Sequence, residues 1–286
     1  MTIGSGQIVV GVDDSPQSSA AVKWAARDAE IHQSELTLVH VIPPETYSRS
    51  ARAGVPVYPD DARWRREKMA AYQSLEDAQR TAMAAVERPD ELRVHHEVLV
   101  GPVAATLTAC AQHSDMLAVG CRDHNVVRRT LFGSTSSDLI HHARGAVAFV
   151  HNGDAPTTRS PKAPVLVGVD GSPASDPALD VAFDEASRRG VDLLAFQASN
   201  TEDCAQVLGE RLAGWGERYP DVGVQKVVAA DRPVAGLRRL AEKAQLLILG
   251  SHDDRFADRL HRSVRSAVLA AIQIPVIIAA HTARPT

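Results

Sequence analysis

An internal repeat constrains this chain more than any other feature of its sequence. The segment Ile8–Pro16, which reads IVVGVDDSP, returns as Val165–Pro173, which reads VLVGVDGSP. Asp13 therefore corresponds to Asp170, at an offset of 157 residues that holds through the next helix and strand. In a chain of 286 residues, a repeat of this length indicates two similar domains, each of ordinary domain size.

The repeat predicts a first domain over residues 1–152, a linker over 153–163 and a second domain over 164–286. The linker segment is polar and rich in proline, which is typical of a connection between domains. Farther along each copy, LAVG at Leu117–Gly120 matches LILG at Leu247–Gly250 with an offset of only 130 residues. The first copy therefore carries 27 extra residues, which we place mainly in the stretch from Pro43 to about Arg66.

Short apolar runs alternate with longer amphipathic segments in both copies. Several of the apolar runs lack polar alternation, as expected for strands that are covered on both faces. This alternation predicts an α/β protein with two tandem, doubly wound, parallel sheets of five strands each. The strands predicted in the first copy are Ile8–Val12, Leu36–Ile42, Leu92–Leu99, Met116–Gly120 and Ala146–Val150. The predicted helices begin at Pro16, Ala62, Val103 and Ser134 and end near His32, Val86, His113 and Ala143.

Composition argues against several classes of protein. There are 31 basic and 35 acidic side chains and only 4% aromatic residues, which does not favour a nucleic-acid-binding surface. The three cysteines form no CxxC pair, so neither a disulfide framework nor a structural metal is expected. The apolar runs are too short to span a bilayer, and the first residues do not look like a secretory signal. We expect a cytoplasmic protein that does not bind membranes.

The segment from Gly120 to Ser137 carries the clearest hint of a ligand. A glycine closes the fourth strand, a long loop follows, and Gly133, Ser134 and Thr135 then begin a helix. Amides at a helix N-terminus, next to a glycine that allows close approach, form a site suited to phosphate. By itself, a Gly-Ser helix start is also typical of an ordinary helix cap.

Asp13 after the first strand and the spacing from Gly120 to Gly133-Ser134 resemble the universal stress protein family. The resemblance covers nearly the whole chain twice, and it implies the strand order 3-2-1-4-5 in each copy, similar to the adenine nucleotide alpha hydrolase fold. It also implies that ATP or a related adenine nucleotide binds, with Mg²⁺ as the counter-ion of its phosphates. The positions that match the nucleotide-binding branch are Val12, Asp13, Val41, Val119, Gly120, Arg122, Gly133, Ser134 and Thr135.

Asp123 departs from that pattern, because the family has its second loop glycine there. Its carboxylate adds negative charge near the expected phosphates, which costs roughly 1 kcal/mol in water for two unit charges 4 Å apart. Arg122, Arg128 and Arg129 either offset this charge or are only solvated loop residues.

The second copy departs further from the pattern. It keeps Asp170 and Gly250, but Asp253 replaces the loop glycine and Ser263-Val264 replace the Gly-Ser pair. We therefore expect the first domain to hold most of the nucleotide and the second to act as its pairing partner.

Other conspicuous residues fit ordinary roles better. His95 and His96 point to opposite faces of a strand, and His141 and His142 lie about 100° apart on a helix, so neither pair chelates one ion. Both pairs are interpreted as polar surface or helix-end residues. Cys121 is interpreted as a small residue lining the pocket rather than as a redox sensor.

The sequence favours a nucleotide-binding module in a stress response or in signalling, rather than an enzyme. It has no Walker A loop, metal cluster or evident general base, so any hydrolysis of ATP should be slow and incidental. The main alternative is a scaffold of the same fold that binds no nucleotide and works through dimer or partner surfaces. A third class, the ATP pyrophosphatases, would require a Ser-Gly-Gly-x-Asp-Ser loop after the first strand, which this chain lacks.

The last strand of each copy, Ala146–Val150 and Pro275–Ala280, is apolar and would expose a sheet edge if left unpaired. The family resemblance also implies association through this strand. We therefore predict that these two strands pair with each other inside the chain. A homodimer remains compatible with that arrangement.

Overall fold

The computed structural model describes residues 3–4, 6–44, 61–121, 136, 138–140, 145–151, 162–172, 175–199, 204–230, 232–250 and 258–280. Contacts between Cα atoms divide the chain into two compact units. The first unit contains the described residues up to Cys121 together with 136 and 138–140, and the second contains those from 145 onward. The predicted domain boundaries at 152 and 164 remain a prediction.

The first unit contains four parallel strands in the order β3-β2-β1-β4. The strands are β1 (Gln7–Gly11), β2 (Glu35–Ile42), β3 (Val94–Val100) and β4 (Met116–Cys121). Its helices are α1 (Pro16–His32), α2 (Asp61–Met83) and α3 (Val103–His113), with a 3₁₀ turn at Pro89–Glu91. Of the predicted helix Ser134–Ala143, residues 136 and 138–140 are described and are helical.

The start and end of α1 follow from local residue chemistry. Ser15 accepts a hydrogen bond from the backbone N–H of Ser18, and proline occupies the first helical position, where no N–H is needed. The helix ends at Gln33, whose left-handed backbone conformation closes the last turn. Ala21, Ala25 and Ala29 are fully buried along the helix, so small side chains bring α1 close to the sheet.

The second unit contains six strands in the order β5-β10-β9-β6-β7-β8. They are β5 (Ala146–His151), β6 (Val165–Val169), β7 (Leu193–Ala198), β8 (Val224–Ala229), β9 (Leu246–Gly250) and β10 (Val276–Ala279). The helices are α4 (Asp176–Arg189), α5 (Cys204–Arg218), α6 (Pro233–Ala241) and α7 (Asp258–Ala271).

The strand order of the second unit confirms the predicted topology. Numbered within the second copy, β6 to β10 follow the order 3-2-1-4-5 and are parallel wherever they pair. The first unit shows the 3-2-1-4 part of the same order. Helices connect the sequential parallel strands. Because these strands run in the same direction, the carboxyl ends of the central strands lie along one edge of the sheet in each unit.

The predicted pairing of the two final strands is present. β5 runs antiparallel to β10, with Phe149 opposite Val276 and Val147 opposite Ile278. All four side chains are nearly inaccessible to solvent. The apolar edges that the sequence would otherwise expose therefore cover each other.

Candidate nucleotide-binding site

A cavity of about 430 Å³ opens in the first unit where β1, β2 and β4 end. This is the edge of the sheet where doubly wound α/β proteins bind their ligands. Its volume lies in the range of typical small-molecule sites, and most of its wall is aliphatic. The described residues that line it are Gly11, Val12, Asp13, Ser15, Ser18, Val39, His40, Val41, Pro43, Val103, Leu107, Val119, Gly120 and Ser136.

Five of the residues proposed from the sequence lie together in this wall. Val12 and Asp13 follow β1, Val41 lies near the end of β2, and Val119 and Gly120 lie near the end of β4. Arg122, Gly133, Ser134 and Thr135, which were expected at the phosphates, lie outside the described residues, as does Asp123. The described wall therefore covers the part of the proposed site that lies at the strand ends.

The remaining lining residues were not proposed from the sequence: Ser15, Ser18, His40, Pro43, Val103, Leu107 and Ser136, together with Gly11 and Val39. His40 precedes Val41 on the same strand, and Ser15 and Ser18 belong to the same turn as Asp13. Their positions next to the strand-end residues are the signal in the sequence from which they could have been predicted. Val103 and Leu107 come from α3, and only the three-dimensional packing places them here.

Asp13 organises the turn between β1 and α1. Its Oδ1 accepts hydrogen bonds from the Ser15 N–H at 2.9 Å and from the Ser15 hydroxyl. The Ser18 hydroxyl accepts from the Asp13 N–H at 3.0 Å and donates to the Gly11 carbonyl at 3.3 Å. One carboxylate oxygen of Asp13 thus holds the turn, and the exposed side chain stays at the mouth of the cavity.

The same turn recurs in the second unit. Oδ1 of Asp170 accepts from the Ser172 N–H at 2.9 Å and from the Ser175 hydroxyl at 2.6 Å, and the Asp170 N–H donates to Ser175 at 3.3 Å. Asp13, Ser15 and Ser18 correspond to these three residues at the repeat offset. The recurrence of this aspartate is therefore explained by turn formation, whether or not a ligand binds.

Gly120 is required by close packing inside the protein. A Cβ atom added there would lie 2.4 Å from the carbonyl carbon of Gln17, in the first turn of α1. Because that neighbour is backbone, it cannot move aside as a flexible side chain would. A glycine is needed at this strand end even without a ligand.

The matching positions of the second unit carry larger side chains. Phe196 stands where the first unit has Val39, and Leu249 stands where it has Val119. The Phe196 ring lies against Gly236 and Leu249 lies against Gly168, so closely that an added Cβ would meet them at 2.3 Å and 2.6 Å. Both side chains are buried. Phe196 is accommodated by Gly236, where the first unit has Thr106, and Leu249 lies over Gly168, which matches Gly11.

Comparison with known proteins identifies the family of this chain. The model of the universal stress protein family matches residues 5–151 and, a second time, residues 163–280. The chain belongs to the universal stress protein family. The two matches show it to be a tandem member, with two universal stress protein modules in one chain.

Named universal stress proteins are similar along nearly the whole length. One from Mycobacterium tuberculosis is 39% identical, with 95% of each chain aligned. Another, from Mycolicibacterium smegmatis, is also 39% identical, over 95% of this chain and 96% of its own. The crystal structure of a universal stress protein from Archaeoglobus fulgidus has a TM-score of 0.76 at 17% identity, covering 96% of this chain and 98% of that one. This last comparison shows a shared fold.

The mouth of the cavity in this universal stress protein is acidic. Burial lowers the pKa of His40 below its usual 6.5, against the opposing effect of the carboxylates of Asp14, Asp13 and Glu67. Glu67 belongs to α2, and the Ser74 hydroxyl of the same helix donates to Asp14 at 2.7 Å. The helix α2 is thereby tied to the turn that carries Asp13.

The cysteines of the first unit are buried. Burial raises the pKa of the Cys110 thiol to about 11, so it is a poor nucleophile at neutral pH. Cys121 is also buried, and it is not among the described residues that line the cavity. Its interpretation as a pocket-lining residue is therefore not supported by the residues that line the cavity.

The histidine pair on β3 differs from its interpretation as polar surface. His95 is exposed, and its Nε2 lies within hydrogen-bond distance of a Glu35 carboxylate oxygen, at 3.1 Å, as expected for a surface residue. His96 points to the opposite side, and its Nε2 is buried.

Among the described residues, no helix is both long enough and apolar enough to cross a bilayer.

Proposed function

We propose that this universal stress protein binds an adenine nucleotide in the cavity of its first unit and acts as a stress-response or signalling module. The cavity at the ends of β1, β2 and β4 is the observation that supports the proposal most strongly. Its aliphatic wall suits the flat, apolar faces of a purine, and the strand-end backbone near Val41 suits the purine edge.

The polar residues at the mouth fit the remainder of a nucleotide. One oxygen of Asp13 is used by the turn, and the exposed carboxylate can accept a hydrogen bond from a ribose hydroxyl. The phosphates would extend toward the loop and helix start at Gly120, Arg122, Gly133, Ser134 and Thr135. Mg²⁺ would accompany ATP as a counter-ion, which the acidic groups at the mouth make necessary.

The larger residues of the second unit support binding mainly in the first. Leu249 projects over Gly168, whereas the smaller Val119 of the first unit lines the cavity beside Gly11. The remnants of the pattern in the second unit, Asp170 and Gly250, have a turn role and a strand-end position respectively. We propose that this unit serves as a structural and pairing partner.

The proposed activity is binding, with no committed catalytic cycle. Burial holds the pKa of His40 low. Its Nδ1 is inaccessible to solvent and has no hydrogen-bond partner among the described residues, so this nitrogen does not reach a water that it could activate. Hydrolysis of bound ATP would therefore remain slow and incidental.

A scaffold without a nucleotide is the second candidate. The acidic groups around His40 favour it, because they oppose a polyphosphate. The scaffold would act through surfaces that bind a second copy of the chain or another protein. If the cavity binds a nucleotide, filling it should weaken ATP binding. A scaffold should show no ATP binding before or after the cavity is filled.

Filling the cavity tests the proposal directly. The variants Val39→Phe and Val119→Leu introduce the residues found at matching positions of the second unit. We expect each to weaken ATP binding in calorimetry by about tenfold or more, which is about 1.4 kcal/mol. Val119→Leu should change the melting temperature little, because Gly11 lies beside it as Gly168 lies beside Leu249, whereas Val39→Phe enlarges a fully buried side chain and should lower the melting temperature.

The matched control is Phe196→Leu in the second unit, which should leave the affinity for ATP unchanged. Wild-type protein that releases no heat with millimolar MgATP would contradict nucleotide binding and favour the scaffold. Mass spectrometry of ligand released from freshly purified protein would then identify which adenine nucleotide, if any, is native.

A further inference from the structure

Two histidines of the first unit lie beneath α2 on one face of neighbouring strands. His96 of β3 is paired with Leu38 of β2, and His40 lies two residues farther along β2. Because side chains alternate along a strand, His40 and His96 project from the same face. The carboxylates that act on them, Glu67 and Glu76, both belong to α2.

Each histidine buries a ring nitrogen without a partner. Nδ1 of His40 and Nε2 of His96 are inaccessible to solvent, and neither has a hydrogen-bond partner within the described part of the chain. In the neutral ring, such a nitrogen can remain bare. A proton added to it becomes a buried, charged N–H without an acceptor, which is costly.

The surroundings of the two rings favour the neutral form. Burial lowers the pKa of His40, opposed by Asp14 and Asp13 of the turn and by Glu67 of α2. Burial also lowers the pKa of His96, opposed by Glu76 of α2 and reinforced by the neighbouring His95. For both residues the effect of burial exceeds that of the carboxylates.

The direction of the pH effect follows from these shifts. When α2 opens, the histidines return toward their ordinary pKa of 6.5 and bind protons more readily than in the closed state. The stability that the neutral pair contributes is therefore complete above about pH 6.5 and is lost as the pH falls toward the lowered values.

We propose that His40 and His96 make α2 an acid-sensitive cover of the first unit, which loosens from β2 and β3 when the two rings are protonated. His40 also lines the cavity, and Ser74 ties α2 to the Asp13 turn. Loosening of α2 would therefore disturb the cavity wall and weaken the binding of a ligand there. This last consequence rests on the proposed function, whereas the loosening itself does not.

The second unit provides an internal comparison. By the repeat offsets, Gln197 stands at the position of His40 and Lys226 at that of His96. Neither residue gains a proton between pH 7 and 5. The helix α5, which packs on β8 as α2 packs on β3, should not respond to acid in the same way.

Hydrogen exchange followed by mass spectrometry tests the inference on the full chain. Protection factors of peptides from α2 and α5 are compared at pH 7 and pH 5, after correction for the intrinsic exchange rate. We expect the protection of α2 to fall by up to about tenfold per pH unit for each proton taken up, and that of α5 to stay constant. Equal behaviour of the two helices would overturn the proposal.

Variants separate these histidines from the others. His40→Gln introduces the residue found in the second unit, and its combination with His96→Gln should remove the acid effect on α2. His113→Gln, at an exposed histidine of α3, should leave that effect intact. An unchanged acid effect in the double variant would contradict the proposal.

A measurement on the wild-type protein covers the case in which the double variant does not fold. The ring C–H resonances of His40 and His96 should both titrate below pH 6.5, and a midpoint at or above 6.5 for either would overturn the proposal. Titration with MgATP at pH 7 tests the proposed nucleotide binding separately from the acid effect on α2. If MgATP does not bind at pH 7, the proposed function fails while the acid effect on α2 can still be measured.

Discussion

At the scale of single residues, Asp13 shows how a turn residue and a ligand contact can be confused. Its carboxylate holds the turn through Ser15, and Asp170 does the same through Ser172 in the second unit. A recurring aspartate therefore does not by itself indicate a recurring binding site. The two units offer a way to separate the roles.

Replacing each aspartate with alanine should separate turn formation from ligand binding. Asp13→Ala and Asp170→Ala each remove hydrogen bonds from an equivalent turn, so we expect each to lower the free energy of unfolding by about 1 kcal/mol. Only Asp13→Ala should also weaken ATP binding, as measured by calorimetry. An equal loss of affinity in both variants would show that the effect arises from folding and not from the site.

Gly120 provides the second prediction at this scale. A methyl group there would meet the backbone of Gln17, so we expect Gly120→Ala to destabilise the protein by about 1–3 kcal/mol in denaturant unfolding. Gly214→Ala is the control, because nothing lies within 4 Å of an added Cβ in the middle of α5. That substitution should be neutral or stabilising by up to about 1 kcal/mol. A neutral Gly120→Ala variant would contradict the close packing described for this strand end.

At the scale of elements, β2 and β7 show how two similar units differ in their side-chain packing. The strands align without gaps, yet Val39 and His40 of β2 correspond to Phe196 and Gln197 of β7. Phe196 is almost fully buried, and its ring occupies the space beside Gly236. A change of two adjacent side chains near a strand end thus alters the packing against the neighbouring helix and replaces a titratable histidine with a glutamine.

At the scale of the whole molecule, the pairing of β5 with β10 joins the last strands of the two sequence repeats in one sheet. Ile277 of β10 lies opposite Ala148 of β5, and both are fully buried. This contact is apolar and central, so it should contribute strongly to the stability of the second unit.

Shortening the side chain at this contact tests its contribution. Ile277→Ala should lower the free energy of unfolding by about 2–5 kcal/mol, because it leaves a cavity in a packed core. Hydrogen exchange should show that amides of β5 and β10 lose protection together. Val207→Ala, at an exposed position on α5, should change the free energy by less than about 0.5 kcal/mol. Loss of protection in β10 alone would show that the two strands do not open as one unit.

Much of the fold could be predicted because it depends on local patterns. The apolar runs gave strands such as β1 and β4 within a residue or two of their observed bounds, and Ser15-Pro16 marked the start of α1. The internal repeat indicated which strands are equivalent, and the exposed apolar edges predicted the pairing of β5 with β10. These features need only sequence periodicity and the requirement to bury apolar edges.

The site could be predicted only in part, because its remaining features depend on distances between elements. Strand-end positions such as Asp13 and Val41 follow from topology alone. The buried nitrogen of His96, the filling of space by Phe196 and the contact of Gly120 with Gln17 depend on how close a helix lies to the sheet. No periodicity in the sequence encodes that spacing.

The duplicated Asp-Ser-Ser turn has a consequence for how such a chain diverges. The hydrogen bonds of this turn are made by protein groups in both units, so the turn forms without a ligand in the neighbouring cavity. The second unit thus carries Phe196 in place of Val39 and still forms the same turn. Divergence of the side chains at the strand ends is therefore compatible with an unchanged turn in both halves.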